Sequence, residues 1–337
     1  MSESNGLSIK NIFEHDVEIR SFQGCDKLIT KRQVGIEVEL ENIGLLPQHL
    51  GTATAKYWDI IEDGSLRNGG REFVLAQPLC GLDLYNALAS LEDIITDYCQ
   101  THPLPDINER TSLHVHLDMR GASLDSVIHL LALFSIFERA FFEVFGKGRE
   151  GSNYCVPLFE EGRKRLVSDI LERRLHRSAV NQTIGHSSKY GSVNVKSLRS
   201  LGTVEFRLHQ ATWLKEEILL WVNILLSLAD YAENNELDLS QFSRNISEMG
   251  FESFMNSVFF EDQDIITKLT YPRMGQDILM GIRDAQDIIL QGTIVKLKSS
   301  ICKGSGPQEI KEGHLSYLES FCLKQEIDYE YYEGEVN

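Results

Sequence analysis

Positive charge is scarce in this sequence. Among 337 residues, 33 Lys and Arg stand against 50 Asp and Glu, a formal charge of −17. A general nucleic-acid binder needs Lys and Arg to displace counterions from phosphates, and an anionic membrane surface attracts basic segments. Neither nucleic acid nor membrane is therefore an expected partner. Paired cysteines are also missing: Cys25, Cys80, Cys99, Cys155, Cys302 and Cys322 form no CxxC, and their spacings match no zinc pattern. Reduced thiols and a cytoplasmic protein are the expectation. The opening MSESNGLSIK has no apolar run of the kind a secretion signal needs. The most apolar stretch, Val127–Phe145, carries His129, Glu138, Arg139 and Glu143 and reads as a buried helix rather than a membrane span. No repeat or low-complexity tract is present. Neither a GxxxxGK[ST] loop nor a strand–GxGxxG–helix occurs, so a nucleotide would be held without a P-loop or Rossmann loop.

What is present is ordinary globular material, 42% hydrophobic and 25% charged, enough for a core that needs no disulfide or metal to fold. Residues 1–30 show little periodicity and read as a leader. The alternation Gln33-Val-Gly-Ile-Glu-Val-Glu-Leu-Glu41 predicts a strand. A turn region with Asp63-Gly64 and Asn68-Gly69-Gly70 leads to a strand over Arg71–Ala76. Helical spacing marks Leu82–Gln100 and Lys215–Glu233, and Ser123–Gly146 reads as a long helix capped by Ser123. Glu160–Arg177 is charged and amphipathic. Leu113–Leu117, Tyr190–Val195 and Thr203–Leu208 read as strands. From Leu237 to about residue 325 the pattern is helical, with loops near Tyr271-Pro272 and Gly304–Pro307, before an acidic end at Glu326–Asn337. The reading is one α+β catalytic core over residues 1–235, a helical C-terminal extension over 236–325 and an acidic tail over 326–337.

Three of the strands share a peculiarity. Strand side chains alternate between faces, and in each case one face is apolar while the other carries ionisable groups. Val34, Ile36, Val38 and Leu40 oppose Glu37, Glu39 and Glu41. Leu113, Val115 and Leu117 oppose Ser112, His114, His116 and Asp118. Val204, Phe206 and Leu208 oppose Glu205, Arg207 and His209. A sheet facing solvent also alternates, but usually with Thr, Lys, Ser and Gln. Glu-x-Glu, His-x-His and Glu-x-Arg are ligand-type groups. They point to a polar face that binds metal: carboxylates suit Mg²⁺ or Mn²⁺, His is tolerable for Mn²⁺, and Arg suits a phosphate. Glu72, opening the strand after the glycine-rich turn, adds a fourth element.

In order along the chain, Gly35-x-Glu37-x-Glu39, Asp63-Gly-Ser65 with Gly70-x-Glu72, His114-x-His116-x-Asp118, Lys189-Tyr190 with Asn194, and Thr203-Val-Glu205-Phe-Arg207-x-His209 span about residues 33–225. This set resembles the amidoligase family, a branch of the carboxylate–amine ligases with a glutamine synthetase-like fold. The resemblance implies a strongly curved antiparallel β-sheet with the active site on its concave face and flanking helices. It implies ATP and two or more Mg²⁺ (or Mn²⁺) ions as cofactors. By motif position, Glu37, Glu39, Glu72, His114 and Glu205 would be metal ligands and Arg207 would stabilise the transferring phosphoryl group. His116 looks placed for substrate or phosphate, Lys189 and Asn194 for nucleotide or substrate, and Asp63 and Ser65 would order the neighbouring loop. Arg139 reads better as a salt-bridged helix residue.

The function so implied joins a small-molecule or peptide carboxylate to an amine. ATP phosphorylates the carboxylate, and the amine attacks the acyl phosphate. Glu41 or Asp118 is a candidate base for the amine. Two other readings stay open: a metal-dependent hydrolase using His114, His116 and the carboxylates, and a non-catalytic ligase-like binding subunit. Gly146–Gly162 is a candidate lid, in which Cys155 lacks the paired base a nucleophile needs. An oligomer is compatible with the sequence.

Overall fold

The structure, a computed structural model, describes residues 8–16, 23–28, 32–173, 176–235, 253–260 and 262–302. Six strands form one antiparallel sheet: β1 Val34–Leu40, β2 Trp58–Ile61, β3 Arg71–Leu75, β4 Leu113–Asp118, β5 Val193–Asn194 and β6 Thr203–Phe206. Their spatial order is β2-β3-β1-β4-β6-β5. The helices include α1 Ile9–Phe13, α2 Thr52–Ala55, α3 Gly81–Cys99, α4 Leu124–Val144, α5 Glu161–Arg173, α6 Arg177–His186, α7 Ser197–Ser200, α8 Lys215–Asn234, α9 Gln263–Leu269 and α10 Met274–Cys302. None of the described helices is long and apolar enough to cross a membrane.

The alternation within the strands sets the layering. Val34, Ile36, Val38 and Leu40 are buried, as are Leu113, Val115 and Leu117 beside them and Val204 and Phe206 beyond. Helices cover this apolar face. Phe134 of α4 meets Phe206 of β6 with ring centroids 5.0 Å apart. Phe141 of α4 meets Trp221 of α8 edge-on at 5.2 Å. The indole of Trp58 in β2 donates to Ala87 O of α3 at 2.8 Å. α4 is apolar on nearly every side, as a helix enclosed on all flanks must be. Its first turn is capped by Ser123, whose side chain accepts from Ser126 N. Across the outer side of α4 runs α10, tied by Arg139 to Asp284 at 3.0 Å, and from α10 Ile288 O accepts from Ser168 of α5 at 2.7 Å. Arg139 is thus a paired helix residue, as its position on α4 suggested.

Several elements depart from the sequence-based expectation, for local reasons. The leader contains α1, in which Ile9 and Ile12 are buried and Ile9 N donates to Ala122 O; five residues are too few to show a period. The edge strand β2 has only four residues, with Trp58 and Ile60 inward. The charged stretch at 160–177 holds α5, and α6 begins at its last residue, Arg177. The strand expected over Tyr190–Val195 pairs only at Val193 and Asn194. The strand expected to Leu208 ends at Phe206, so the strict alternation stops before His209. Residues 236–252, 261 and 303–325 of the expected C-terminal helical region, with the Gly304–Pro307 loop, and the acidic tail at 326–337 lie outside the described residues.

Candidate functional site

On the face of the sheet opposite the helices, the register stacks ionisable side chains into rungs. Directly paired residues in an antiparallel ladder share a face. Glu39 stands opposite Glu72 on β3, and Glu37 opposite His114 on β4. His116 stands opposite Gly35 on one side and Glu205 on the other, and Glu205 in turn opposite Asn194. Seven of the side chains singled out from the sequence, Glu37, Glu39, Glu72, His114, His116, Asn194 and Glu205, therefore converge through pairing alone. Arg207 follows directly from the end of β6 and reaches the same group.

This face is not a solvated one. Glu39, Glu72, His114, His116, Asn194 and Glu205 are all buried, and His114 is only 1% exposed. Each is held by neighbours. His114 Nδ1 lies 2.9 Å from Glu37 Oε2, and its Nε2 lies 2.6 Å from Ser112 Oγ, which also bonds Glu39. His116 Nδ1 bonds Thr203 Oγ1 at 3.0 Å. Arg207 donates to Glu205 Oε1, and Asn194 donates to Glu205 Oε2. Because Asn194 Oδ1 also accepts from Lys196 N, both ends of its amide are engaged and it orients Glu205. Lys189 sits apart from this cluster, exposed on the loop before β5, with its ammonium 5.3 Å from the Tyr190 ring.

The crowding shows in the electrostatics. Burial, then the negative charges of Glu37, Glu39 and Asp63, push the Glu72 carboxyl up to about 8. Burial also acts to raise Glu37, but the hydrogen bond with His114 and the close approach of His116 outweigh it and hold Glu37 well below the usual carboxylate range. Glu205 is held down in the same way, where His114 and Arg207 outweigh its burial. Three buried carboxylates and the half-buried Glu37, with one guanidinium among them, are costly to hold together unless cations join them. The donor set fits such ions. Glu37, His114 and Glu205 bring ligand atoms within 4.8 Å of one another, and so do Glu39, Glu72 and His114. Carboxylate-rich triads with one imidazole suit Mn²⁺ or Mg²⁺. A neutral imidazole offers one lone pair, so His114 can ligate in only one triad at a time and carboxylates must complete the other.

The loops at the edge of the site are pinned by Glu41 and Asp118, the outermost acids of two of the ionisable strand faces. Glu41 accepts from Arg67 N at 2.7 Å and from Asn108 Nδ2 at 2.8 Å, clamping the turn before β3 to the segment before β4. Asp118 receives Arg120 through Nε and Nη2, each at 2.9 Å. Neither acid stands free as a base. The turn carries positive φ at Asn68 and Gly69, and Ser65 N bonds Asp63 Oδ1 at 2.6 Å, as the loop-ordering role of that pair implied. At Gly70 a Cβ would lie 2.7 Å from Leu66 Cβ and 2.9 Å from Leu40 O, so the turn closes onto β1 only without a side chain there.

Arg149 is the least expected of the fixtures. It is 1% exposed and donates to Thr111 O at 2.6 Å, Glu109 O at 3.2 Å and Arg207 O at 3.2 Å. It thereby stitches the approaches to His114 and Arg207 together from the candidate lid. Cys155, in the same loop, is buried and its thiol is pushed up to about 11, foremost by that burial, which leaves it inert at neutral pH. His209 points away from the cluster: it is buried between Phe145 and Trp221, with centroids at 5.1 and 5.5 Å, and burial lowers its pKa to about 4.

Compared with known proteins, residues 105–229 match the family described as "Putative amidoligase enzyme". The match supports an amidoligase family assignment. It contains His114, His116, Lys189, Asn194, Glu205 and Arg207, while Glu37, Glu39 and Glu72 precede it. No curated protein matches the chain.

Proposed function

From the amidoligase assignment, we propose that the protein is an ATP-dependent carboxylate–amine ligase with a glutamine synthetase-like sheet, and that the buried polar face is its active site. The observation that carries this reading is the gathering of three buried carboxylates, Glu39, Glu72 and Glu205, and the half-buried Glu37 around His114, with Arg207 inside the cluster. That combination suits a polyphosphate and its metal ions better than it suits a hydrolytic site.

Glu37, Glu39, Glu72, His114 and Glu205 would hold Mg²⁺ or Mn²⁺. When bound, these ions supply positive charge to the phosphates and offset the charge of the acids around them. Arg207, kept in place by Glu205 and by Arg149 on its own carbonyl, sits to stabilise charge on the transferring phosphoryl group. In the overall reaction a substrate carboxylate oxygen takes the γ-phosphoryl group and ADP leaves. The amine nitrogen then forms the C–N bond, phosphate departs with the C–O electron pair, and the nitrogen gives up a proton. His116, at the end of the cluster, contacts the substrate side. Because Glu41 and Asp118 are committed to Arg67, Asn108 and Arg120, they act by positioning loops rather than as bases.

The test is ADP and phosphate release from Mg²⁺-ATP in the presence of pooled carboxylates and amines. Release that requires both pools is expected. No release with any pool, together with no nucleotide binding by calorimetry, defeats the reading.

A further inference from the structure

Beyond the rung of His116 the polar face opens into a hollow of about 260 Å³. Its floor is Gly35. A Cβ there would lie 3.3 Å from His116 Cβ, so the missing side chain is what leaves the space. The walls are mainly apolar, with Ala76 and Pro78 after β3 on one side and Leu201 on the other. These three are exposed, Leu201 by 56%, with no core role that accounts for them. At the inner end stand Glu37 and His116. Glu37 turns Oε2 toward His114 and the metal-fitting triad, and Oε1 toward His116 Nε2, 3.2 Å away. That Nε2 is buried and makes no hydrogen bond of proper geometry.

The chemistry of the lining selects a ligand. A carboxylate would meet the charge of Glu37, and the guanidinium among the described residues that line the hollow is Arg120. Its guanidinium is already spread over both oxygens of Asp118, Gln33 Oε1 at 3.2 Å and Asp16 O at 3.2 Å. An ammonium group, by contrast, meets the negative charge of Glu37 through Oε1 at the inner end. The remaining volume is small and greasy, below the usual range for a drug-sized ligand, and fits a body of a few carbons. We propose that this hollow is the subsite for the amine substrate, and that the amine is a small primary amine with a neutral, aliphatic body rather than an α-amino acid. The proposal rests on the ligase reading above. It places the nucleophile beside Glu37, at the end of the metal-fitting cluster.

The test is calorimetric titration of the full chain in Mg²⁺ buffer with isoamylamine, with the matched acid isovalerate and with leucine. It compares the wild type with Ala76→Trp, a change at an exposed wall position that fills the hollow. Isoamylamine should bind the wild type, and leucine and isovalerate should bind at least roughly tenfold more weakly, since Glu37 repels their carboxylates and Arg120 is already engaged by Asp118. Ala76→Trp should weaken amine binding by roughly tenfold or more while Mg²⁺-ATP binding stays within about twofold. Leu201→Trp on the opposite wall gives the same reading if Ala76→Trp unfolds. Absent amine binding, amine binding untouched by both variants, or equal binding of the acid or the amino acid overturns the subsite. Amine binding that survives in a protein unable to bind Mg²⁺-ATP supports the subsite and overturns the ligase reading instead.

Discussion

Arg207 lies with its Nη1 on Glu205 and 3.4 Å from His114 Nδ1, so one side chain touches the centre of the carboxylate cluster. Its planar fork can span two phosphate oxygens where an ammonium meets them only as a point charge. Arg207→Lys should therefore keep the fold, because Glu205 retains a counter-charge, but lower kcat for ADP release by about 10²–10³-fold. A melting curve beside the rate measurement separates the two effects; an unchanged rate would remove Arg207 from the chemistry. His209 makes a different prediction. Burial holds its folded pKa near 4, below the ordinary 6.5, with Arg149 and Lys268 opposing its charge and Glu217 favouring it. A depressed histidine contributes stability that is full above its unfolded pKa and lost as pH falls through the folded one. Between pH 7 and 4 this group should cost about 3 kcal/mol, and His209→Phe should lose that part of the pH dependence in urea titrations. At this scale the site was largely legible. Glu37, Glu39, Glu72, His114, His116 and Glu205 stood out because ionisable groups on alternate positions of a strand must share a face. Arg149 was not legible, because its partners are backbone carbonyls that pairing and loop closure bring to it. His209 had the right spacing in the chain but follows the end of β6, where alternation no longer decides which way a side chain points.

Among the elements, α4 does most to join the apolar layer to the loop beside the site. Glu138 in its middle is wholly buried and accepts from Leu158 N at 2.7 Å, from Phe159 N at 3.0 Å and from Ser192 beside β5. One carboxylate thus anchors the end of the candidate lid and the strand that carries Asn194. Glu138→Ala leaves two buried N–H groups unpartnered and a cavity, and should destabilise the fold by about 3 kcal/mol or more. Glu138→Gln, which keeps the shape and one acceptor, should lose less. Urea denaturation checks both, and equal small losses would mean that Glu138 is not an anchor. The long elements were readable from their periods: β1, β3, β4, α3, α4 and α8 fall within a residue or two of expectation. The short ones were not. β2, α1 and α7 have four or five residues each, and tertiary contacts such as Trp58 on Ala87 decide them rather than any repeat in the chain.

For the whole molecule, the formal charge of −17 is mostly a solvated surface, but part of it is concentrated on one buried face of one sheet. Helices α3, α4 and α8 fill the other face, so the strands cannot turn those acids toward the core or exchange them by slipping register. The fold thereby holds Glu37, Glu39, Glu72 and Glu205 close together around His114, an arrangement that calls for cations. The most direct measurement is an anomalous difference map at the manganese edge from crystals of the full chain grown with Mn²⁺ and ADP. Manganese peaks bonded to Glu37 and Glu205, to Glu39 and Glu72, or to both pairs, with one nitrogen of His114 completing a site, are the predicted result. A polar face free of anomalous density at saturating Mn²⁺, its side chains still bonded to one another, would contradict the account.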